Sequence, residues 1–436
     1  MKHILSIAGA ALVALASSAR ADIEYVVVIT VDGCRGAFIQ GLMANTADFP
    51  NFNAFKNAAA TTFNARCDKT HSVTIPDHLT MVTGRPVQNP GGQPATTSHG
   101  YTSDAPAATD TIHTYPASGG NNSGFYKASI FDVVHDRGFS TACYISKNRL
   151  QILPRSYDAT NGAADVTGAD NGKNKITTLM QGEGQPTDYT PSTSATLALH
   201  IAAASAVNPG GLEKFSFLHI AETDYAGHSG NWNATVGSAY YNKMKTADGW
   251  IGTILNAINN NAWLADKVAV LLTADHGGGG GSVLTHHQIA TAVENATIPF
   301  FVRAPGFAPG SDLYSYFKNR FDPKATIPEY VNTPQPIRNA DIANLSAALL
   351  GLPAVPGSSA IPELMDNLRI SKSADDSVSL AWPAYLTGYV LEEAVVVDGW
   401  WRKVNTGITV ANQQKTRTYA TPYTSTHFYR LRKPGG

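Results

Sequence analysis

Three runs of β-branched and aromatic residues end in acidic side chains. Tyr25–Val31 leads straight into Asp32, Phe215–Ile220 is followed by Glu222 and Asp224, and Val268–Thr273 is followed by Asp275 and His276. Asp224 and His228 stand four residues apart, Asp275 and His276 are adjacent, and His286 and His287 follow soon after. Carboxylate and imidazole donors suit zinc, with manganese or iron as poorer fits. A single Asp-His pair is ordinarily a hydrogen-bonded couple, and an Asp after a strand is often a turn or helix cap. Three acidic strand ends, two of them with histidines nearby, point instead to a dinuclear metal centre.

A nucleophile candidate lies in the segment 70–85. Thr74 precedes Ile75 and Pro76, with Asp77 and His78 next. Pro76 suits the start of a helix. A threonine hydroxyl is a weak nucleophile until coordination to a divalent metal lowers its pKa. Thr74 as a helix N-cap is the plainer role, and the two are compatible, because a helix N-terminus also favours an anionic ester. The five glycines at 277–281 are either a flexible linker or a place where side chains would obstruct a backbone passing a metal and its substrate. They form no P-loop, since no Gly-x-x-x-x-Gly-Lys-Ser/Thr frame is present.

The elements that would position these groups are short β-rich runs without alternation, as expected of strands buried on both faces. Helical patterns surround Tyr240–Ile258 and Ala340–Leu350. Strands interleaved with helices predict an α/β domain over 22–362, with a mainly parallel central sheet and helices on both faces. Ligands gather at the carboxyl ends of such strands, so residues distant in sequence can converge there. The segments 86–124 and 155–194 are rich in Gly, Pro, Ser, Thr and Asn and read as loops. Beyond 363 the pattern changes to period two, with Val378, Leu380 and Trp382 alternating with polar neighbours. That predicts a small antiparallel, sandwich-like β domain over 363–436, accessory to the chemistry and suited to a cell-surface or extracellular partner.

Residues 1–21 read as a secretory leader. A short polar start, the apolar run Ile4–Ala16 and Ala19-Arg20-Ala21 predict cleavage before Asp22 and a secreted or periplasmic protein. The apolar run is too short to span a bilayer. The formal charge of −1 supplies no electrostatic footprint for nucleic acid and no polybasic membrane signal. Cys34, Cys67 and Cys143 are too few for a disulfide framework, although one bridge is possible; small buried residues are the plainer reading.

Taken together, Val31-Asp32-Gly33, Thr74 to His78 with Val82-Thr83-Gly84, Asp224-x-x-Gly227-His228 and Ala274-Asp275-His276-Gly277 resemble the successive motifs of the alkaline phosphatase superfamily. The nearest branch is type I phosphodiesterase/nucleotide pyrophosphatase, and the resemblance spans roughly Asp22 to Pro362. It implies an alkaline phosphatase-like fold and two zinc ions. One would be held by Asp224, His228 and a late histidine, His287 in preference to His286 from its distance to Ile298-Pro299. The other would be held by Asp32, Asp275, His276 and Thr74. It further implies attack by Thr74 on phosphorus, with a phosphothreonine intermediate.

Two positions depart from the branch. Asp77 stands where Asn is usual. Asp104 either takes the place where the branch has an Asn that donates a hydrogen bond to a phosphoryl oxygen, whereas an ionised Asp only accepts, or is an ordinary loop Asp. His78 is retained and reads as structural. Lys147 and Arg149 are either two solvated charges or contacts to a substrate phosphate, as a Lys-x-Arg pair is in some phosphomonoesterases of the superfamily. A phosphodiesterase or nucleotide pyrophosphatase is therefore the expected activity. A phosphomonoesterase, a phosphonate hydrolase or a non-catalytic binding protein of the same fold are the alternatives. A sulfatase is disfavoured, because no Cys/Ser-x-Pro-x-Arg frame is present.

Overall fold

The computed structural model describes residues 23–88, 95–114, 125–164, 172–181, 189–317, 319–332, 334–358, 368–372, 377–383, 389–396, 399–411, 414–419 and 427–432. The predicted leader and the predicted boundary at 362/363 lie outside them. Seven strands form the central sheet: β1 (Tyr25–Val31), β2 (Ala60–Arg66), β3 (Thr141–Ile145), β4 (Thr178–Gln181), β5 (Phe215–Ile220), β6 (Val268–Thr273) and β7 (Thr297–Arg303). Their order is β2-β7-β6-β1-β5-β3-β4. β7 is antiparallel to both neighbours, and the other pairings are parallel. Every residue of β1, β3, β5 and β6 is buried, which explains the absence of alternation in those runs.

Helices cover both faces of the sheet. Pro50–Ala58, Tyr189–Ala203 and Glu222–Gly230 pack on the long helix Ala239–Asn260, while Thr74–Thr83, Ile130–His135 and Asp341–Leu350 pack on one another. The expected helices around 240–258 and 340–350 are therefore present. The loop expected over 155–194 needs correction, because β4 and the start of the helix Tyr189–Ala203 fall inside it. β4 adds an edge strand beside β3, a tertiary pairing that local composition does not report.

The C-terminal strands β8 (Arg369–Lys372), β9 (Val378–Pro383), β10 (Val390–Ala394), β11 (Arg402–Lys403), β12 (Ile408–Ala411), β13 (Gln414–Tyr419) and β14 (Phe428–Arg432) form two small antiparallel sheets, β12-β13-β9-β8 and β11-β10-β14. Leu380, Trp382, Leu391 and Val404 are buried together, with Tyr429 and Leu431 packed against them. Tyr389 joins this unit to the main one by donating its hydroxyl to the carbonyl of Ala348 at 3.1 Å. No helix among the described residues is long and apolar enough to cross a membrane.

Candidate metal centre

Strand order brings the chemistry together. β6, β1, β5 and β3 are consecutive in the sheet, and their carboxyl ends carry Asp275-His276, Asp32, Asp224 and Lys147 respectively. The register keeps those ends level: Thr30 lies opposite both Thr273 and His219, and Tyr144 opposite Leu218. Four side-by-side parallel strands thus deliver four loops to one place.

Two triads form there, Asp224 with His228 and His287, and Asp32 with Asp275 and His276. His228 Nε2 lies 3.5 Å from Asp224 Oδ1 and 3.2 Å from His287 Nε2. His276 Nε2 lies 3.6 Å from Asp32 Oδ1 and 3.3 Å from Asp275 Oδ2. The three Nδ1 atoms all face backbone carbonyls, of Thr285 for His228 and Gly277 for His276, both at 2.7 Å, and of Ser72 for His287. A carbonyl only accepts, so each Nδ1 carries the proton and each Nε2 turns a lone pair toward its triad. His287 is buried, whereas His286 is exposed and belongs to neither triad.

Hydrogen bonding divides the carboxylates in the same way. Asp275 Oδ1 accepts from the backbone N–H groups of Gly33 at 3.0 Å and His276 at 2.8 Å. Asp32 Oδ2 pairs with His219 Nε2 at 3.0 Å and Lys147 Nζ at 2.6 Å, and Asp224 Oδ2 accepts from Lys147 Nζ at 2.6 Å. The remaining oxygens, Asp32 Oδ1, Asp224 Oδ1 and Asp275 Oδ2, together with His276 Nε2, are buried without a hydrogen-bond partner. Buried polar atoms without partners are costly and uncommon. Here all four point into the triads, and oxygen-plus-imidazole sets of three fit divalent metal ions.

Electrostatics agree with that fit. Burial acts to raise the Asp32 carboxyl, but Lys147, His219 and His276 overcome it and hold the group well below the usual range. Asp224 is likewise lowered, with burial opposed by Lys147. Asp275 goes the other way, pushed well above the usual range by burial and by the charge of Asp32. One ammonium does not balance three clustered carboxylates, so the site calls for further positive charge.

Thr74 is the first residue of the helix Thr74–Thr83, and Val73 is the N-cap. The cap role expected as the plainer reading of Thr74 is therefore not the one it plays. Its Oγ1 is buried 3.5 Å from Asp32 Oδ2 and receives a hydrogen bond of 3.2 Å from Lys147 Nζ. Lys147, for which solvated charge was one expectation, is buried between the triads. Burial opposes its charge, but Asp224, Asp32 and Asp275 outweigh it and hold the ammonium above the usual lysine range. The half-exposed Arg149 pairs with Asp104 Oδ2, and Asp104 Oδ1 accepts the Ile75 N–H at 3.0 Å.

Several supporting residues carry no sequence signal of their own. His219, an imidazole inside an apolar strand, orients Asp32; Thr223 Oγ1 donates to the Asp32 carbonyl. His78 is structural as expected: it bonds the Thr74 carbonyl at 2.6 Å, and burial, with His219 adding to it, draws its imidazole down to about 3. Asp77 is buried and pushed well above the usual carboxyl range by desolvation and by Asp68. Its Oδ1 accepts from the Asp68 N–H and from Asn339 Nδ2, at 3.1 and 3.0 Å. A carboxyl raised in this way favours its neutral form, which has the shape and neutrality of an Asn.

The glycine run is explained by close approach. A Cβ at Gly277 would lie 2.1 Å from the Glu294 carbonyl oxygen, and one at Gly278 would lie 2.1 Å from Trp232 Cε2. Trp232, whose Nε1 donates to the Gly33 carbonyl at 3.0 Å, obstructs Gly278 and Gly279, the Glu294 carbonyl obstructs Gly277, and the segment is no free linker. Cys34, Cys67 and Cys143 are all buried and unbridged.

The sequence profile of the type I phosphodiesterase/nucleotide pyrophosphatase family matches residues 26–299. No curated protein sequence matches the chain. Among solved structures, a protein in the alkaline phosphatase superfamily from Vibrio parahaemolyticus is similar at 12% identity and a TM-score of 0.48, over 83% of this chain and 75% of that one. Murine ectonucleotide pyrophosphatase/phosphodiesterase 5, as an inactive variant in complex with AMP, is similar at 13% identity and a TM-score of 0.47, over 76% and 96%. Lipoteichoic acid synthase LtaP from Listeria monocytogenes is similar at 12% and 0.48, over 89% and 88%.

Proposed function

Because the chain belongs to the type I phosphodiesterase/nucleotide pyrophosphatase family, we propose that it hydrolyses phosphoric diesters with Thr74 as the nucleophile. The supporting observation is the position of Thr74 Oγ1, buried at a helix N-terminus beside Asp32 and Lys147, where both triads meet. Asp224, His228 and His287 would hold one divalent cation, and Asp32, Asp275, His276 and Thr74 the other, with zinc favoured by the donor set. Bound there, such cations supply Lewis acidity, which lowers the pKa of a coordinated hydroxyl and neutralises charge on phosphoryl and leaving oxygens.

The chain's own residues do the rest. Thr74 Oγ forms a bond to phosphorus as the bond to the leaving oxygen breaks, giving a phosphothreonine. Water then attacks phosphorus, and the oxygen of Thr74 leaves and regains its proton. Lys147, by donating to Oγ1, favours its anionic form before attack and again when it departs. The helix N-terminus adds partial positive charge toward the phosphoryl group. His219 and the Gly33 N–H keep Asp32 and Asp275 in place throughout.

A phosphomonoesterase is the second reading, since two cationic side chains, Lys147 and Arg149, stand near Thr74. The deciding experiment compares bis-p-nitrophenyl phosphate with p-nitrophenyl phosphate, with and without chelator, beside Thr74→Ala. Faster turnover of the diester, abolished by chelator and lowered at least ~1,000-fold by Thr74→Ala, is expected for a covalent nucleophile. Faster turnover of the monoester supports the second reading. A metal-loaded protein inert toward both, and toward phosphonate esters, would be a binding protein and would end the proposal.

A further inference from the structure

Lys147 and Arg149, the cationic side chains described beside the nucleophile, both pair with carboxylates. An ammonium has three protons to donate, and Lys147 directs them at Asp32 Oδ2, Asp224 Oδ2 and Thr74 Oγ1, at 2.6, 2.6 and 3.2 Å. Arg149 is held by Asp104 Oδ2. The backbone donor next to the nucleophile is committed as well, since the Ile75 N–H lies 3.0 Å from Asp104 Oδ1. Asp104 therefore presents its carboxylate at the very helix end where a phosphoryl oxygen approaches Thr74, and takes up the N–H and the guanidinium that such an oxygen would use. A diester carries one anionic charge on its phosphoryl group, and a monoester at mildly alkaline pH carries two. The additional anionic oxygen then faces the negative charge of Asp104, which the Arg149 guanidinium only balances.

We infer that Asp104 sets the charge of the ester that the site accepts, favouring a phosphodiester monoanion over a phosphomonoester dianion. The inference deepens the proposed function and rests on its placement of Thr74 at phosphorus. Asp104→Asn isolates the charge, because an amide oxygen still accepts the Ile75 N–H while the amide nitrogen no longer pairs with Arg149. The site then gains one net positive charge and an unpaired guanidinium. Arg149→Gln does the reverse, leaving the carboxylate without its counter-charge.

The test uses full-length, zinc-loaded protein at pH 8 with two readouts. Calorimetric binding of inorganic phosphate, a dianion, is expected to tighten about tenfold or more in Asp104→Asn and to weaken in Arg149→Gln, as a unit charge a few ångströms away requires. The ratio of kcat/KM for bis-p-nitrophenyl phosphate to that for p-nitrophenyl phosphate is expected to fall about tenfold or more in Asp104→Asn and to rise in Arg149→Gln. Unchanged phosphate affinity in Asp104→Asn, or both variants moving in the same direction, overturns the inference. A wild-type protein that cleaves neither ester defeats the proposed function, and phosphate affinity then still judges Asp104 alone. A protein that cleaves the diester with a ratio indifferent to Asp104 defeats only the inference.

Discussion

Lys147→Met removes the one ammonium that ties the two triads while keeping an unbranched apolar stem below Tyr225, whose ring lies 4.9 Å from Nζ. The change leaves Asp32, Asp224 and Asp275 clustered and buried without a protein cation between them. Removing one partner of a buried ion pair costs about 3–5 kcal/mol. Across residues 23–358, the usual entropy of unfolding per residue amounts to about 0.7 kcal/mol per kelvin, so Tm of chelator-treated protein falls by about 4–7 °C at pH 7. Zinc loading supplies other cations to the same carboxylates, and the loss then shrinks to less than about half of that. The pH dependence follows from Asp32 and Asp224, both held below their usual range. Stability from such groups is present above their unfolded pKa of about 3.9 and disappears as pH falls through the folded value. The difference between wild type and Lys147→Met therefore narrows toward pH 3. Differential scanning calorimetry at pH 7 and at about pH 3, with chelator and with zinc, reads all of this. An equal loss with and without zinc, or no loss at pH 7 in chelator, would refute the assignment of Lys147 as the counter-ion of the triads.

Other outcomes follow from single contacts. His287→Ala is expected to lower bound zinc by about one ion per chain, measured by mass spectrometry of metal content, whereas the exposed His286→Ala retains both. Asp77→Asn is expected to stabilise the protein at pH 7 by on the order of 1 kcal/mol, because it keeps the acceptor oxygen and removes a carboxyl whose raised pKa opposes folding. That penalty is absent below about pH 3.9, where folded and unfolded states both hold the proton, and grows as pH rises, so melting curves of wild type and Asp77→Asn should converge in acid. Gly278→Ala is expected to destabilise by about 1–3 kcal/mol or more, read by thermal melting, since its methyl group would collide with the Trp232 indole.

Much of this site was legible in the sequence because its acidic and imidazole side chains stand at strand ends. Asp32, Asp224, His228, Asp275 and His276 sit beside apolar runs whose lack of alternation marks strands buried on both faces. The start of the helix at Thr74 was visible from Pro76, and the C-terminal antiparallel strands from their alternation. His219, Trp232 and Asn339 were not legible. Each acts through contacts with residues far along the chain, such as the 3.0 Å bonds from His219 to Asp32 and from Trp232 to the Gly33 carbonyl. No local composition encodes a partner nearly two hundred residues distant.

Lys147 shows the division most clearly. The sequence by itself determined that a cation follows β3, that three acidic groups follow β1, β5 and β6, and that a threonine opens a helix, since side-chain type and periodicity are local properties. Which of these neighbours meet was decided by strand order, because only the adjacency β6-β1-β5-β3 puts the four loops side by side. Whether the lysine faces water or the carboxylates, and which oxygen of each Asp is left for a metal, was decided by burial and by competing donors such as the Gly33 N–H. Those are tertiary outcomes, because desolvation and hydrogen-bond satisfaction exist only once the chain has closed around them.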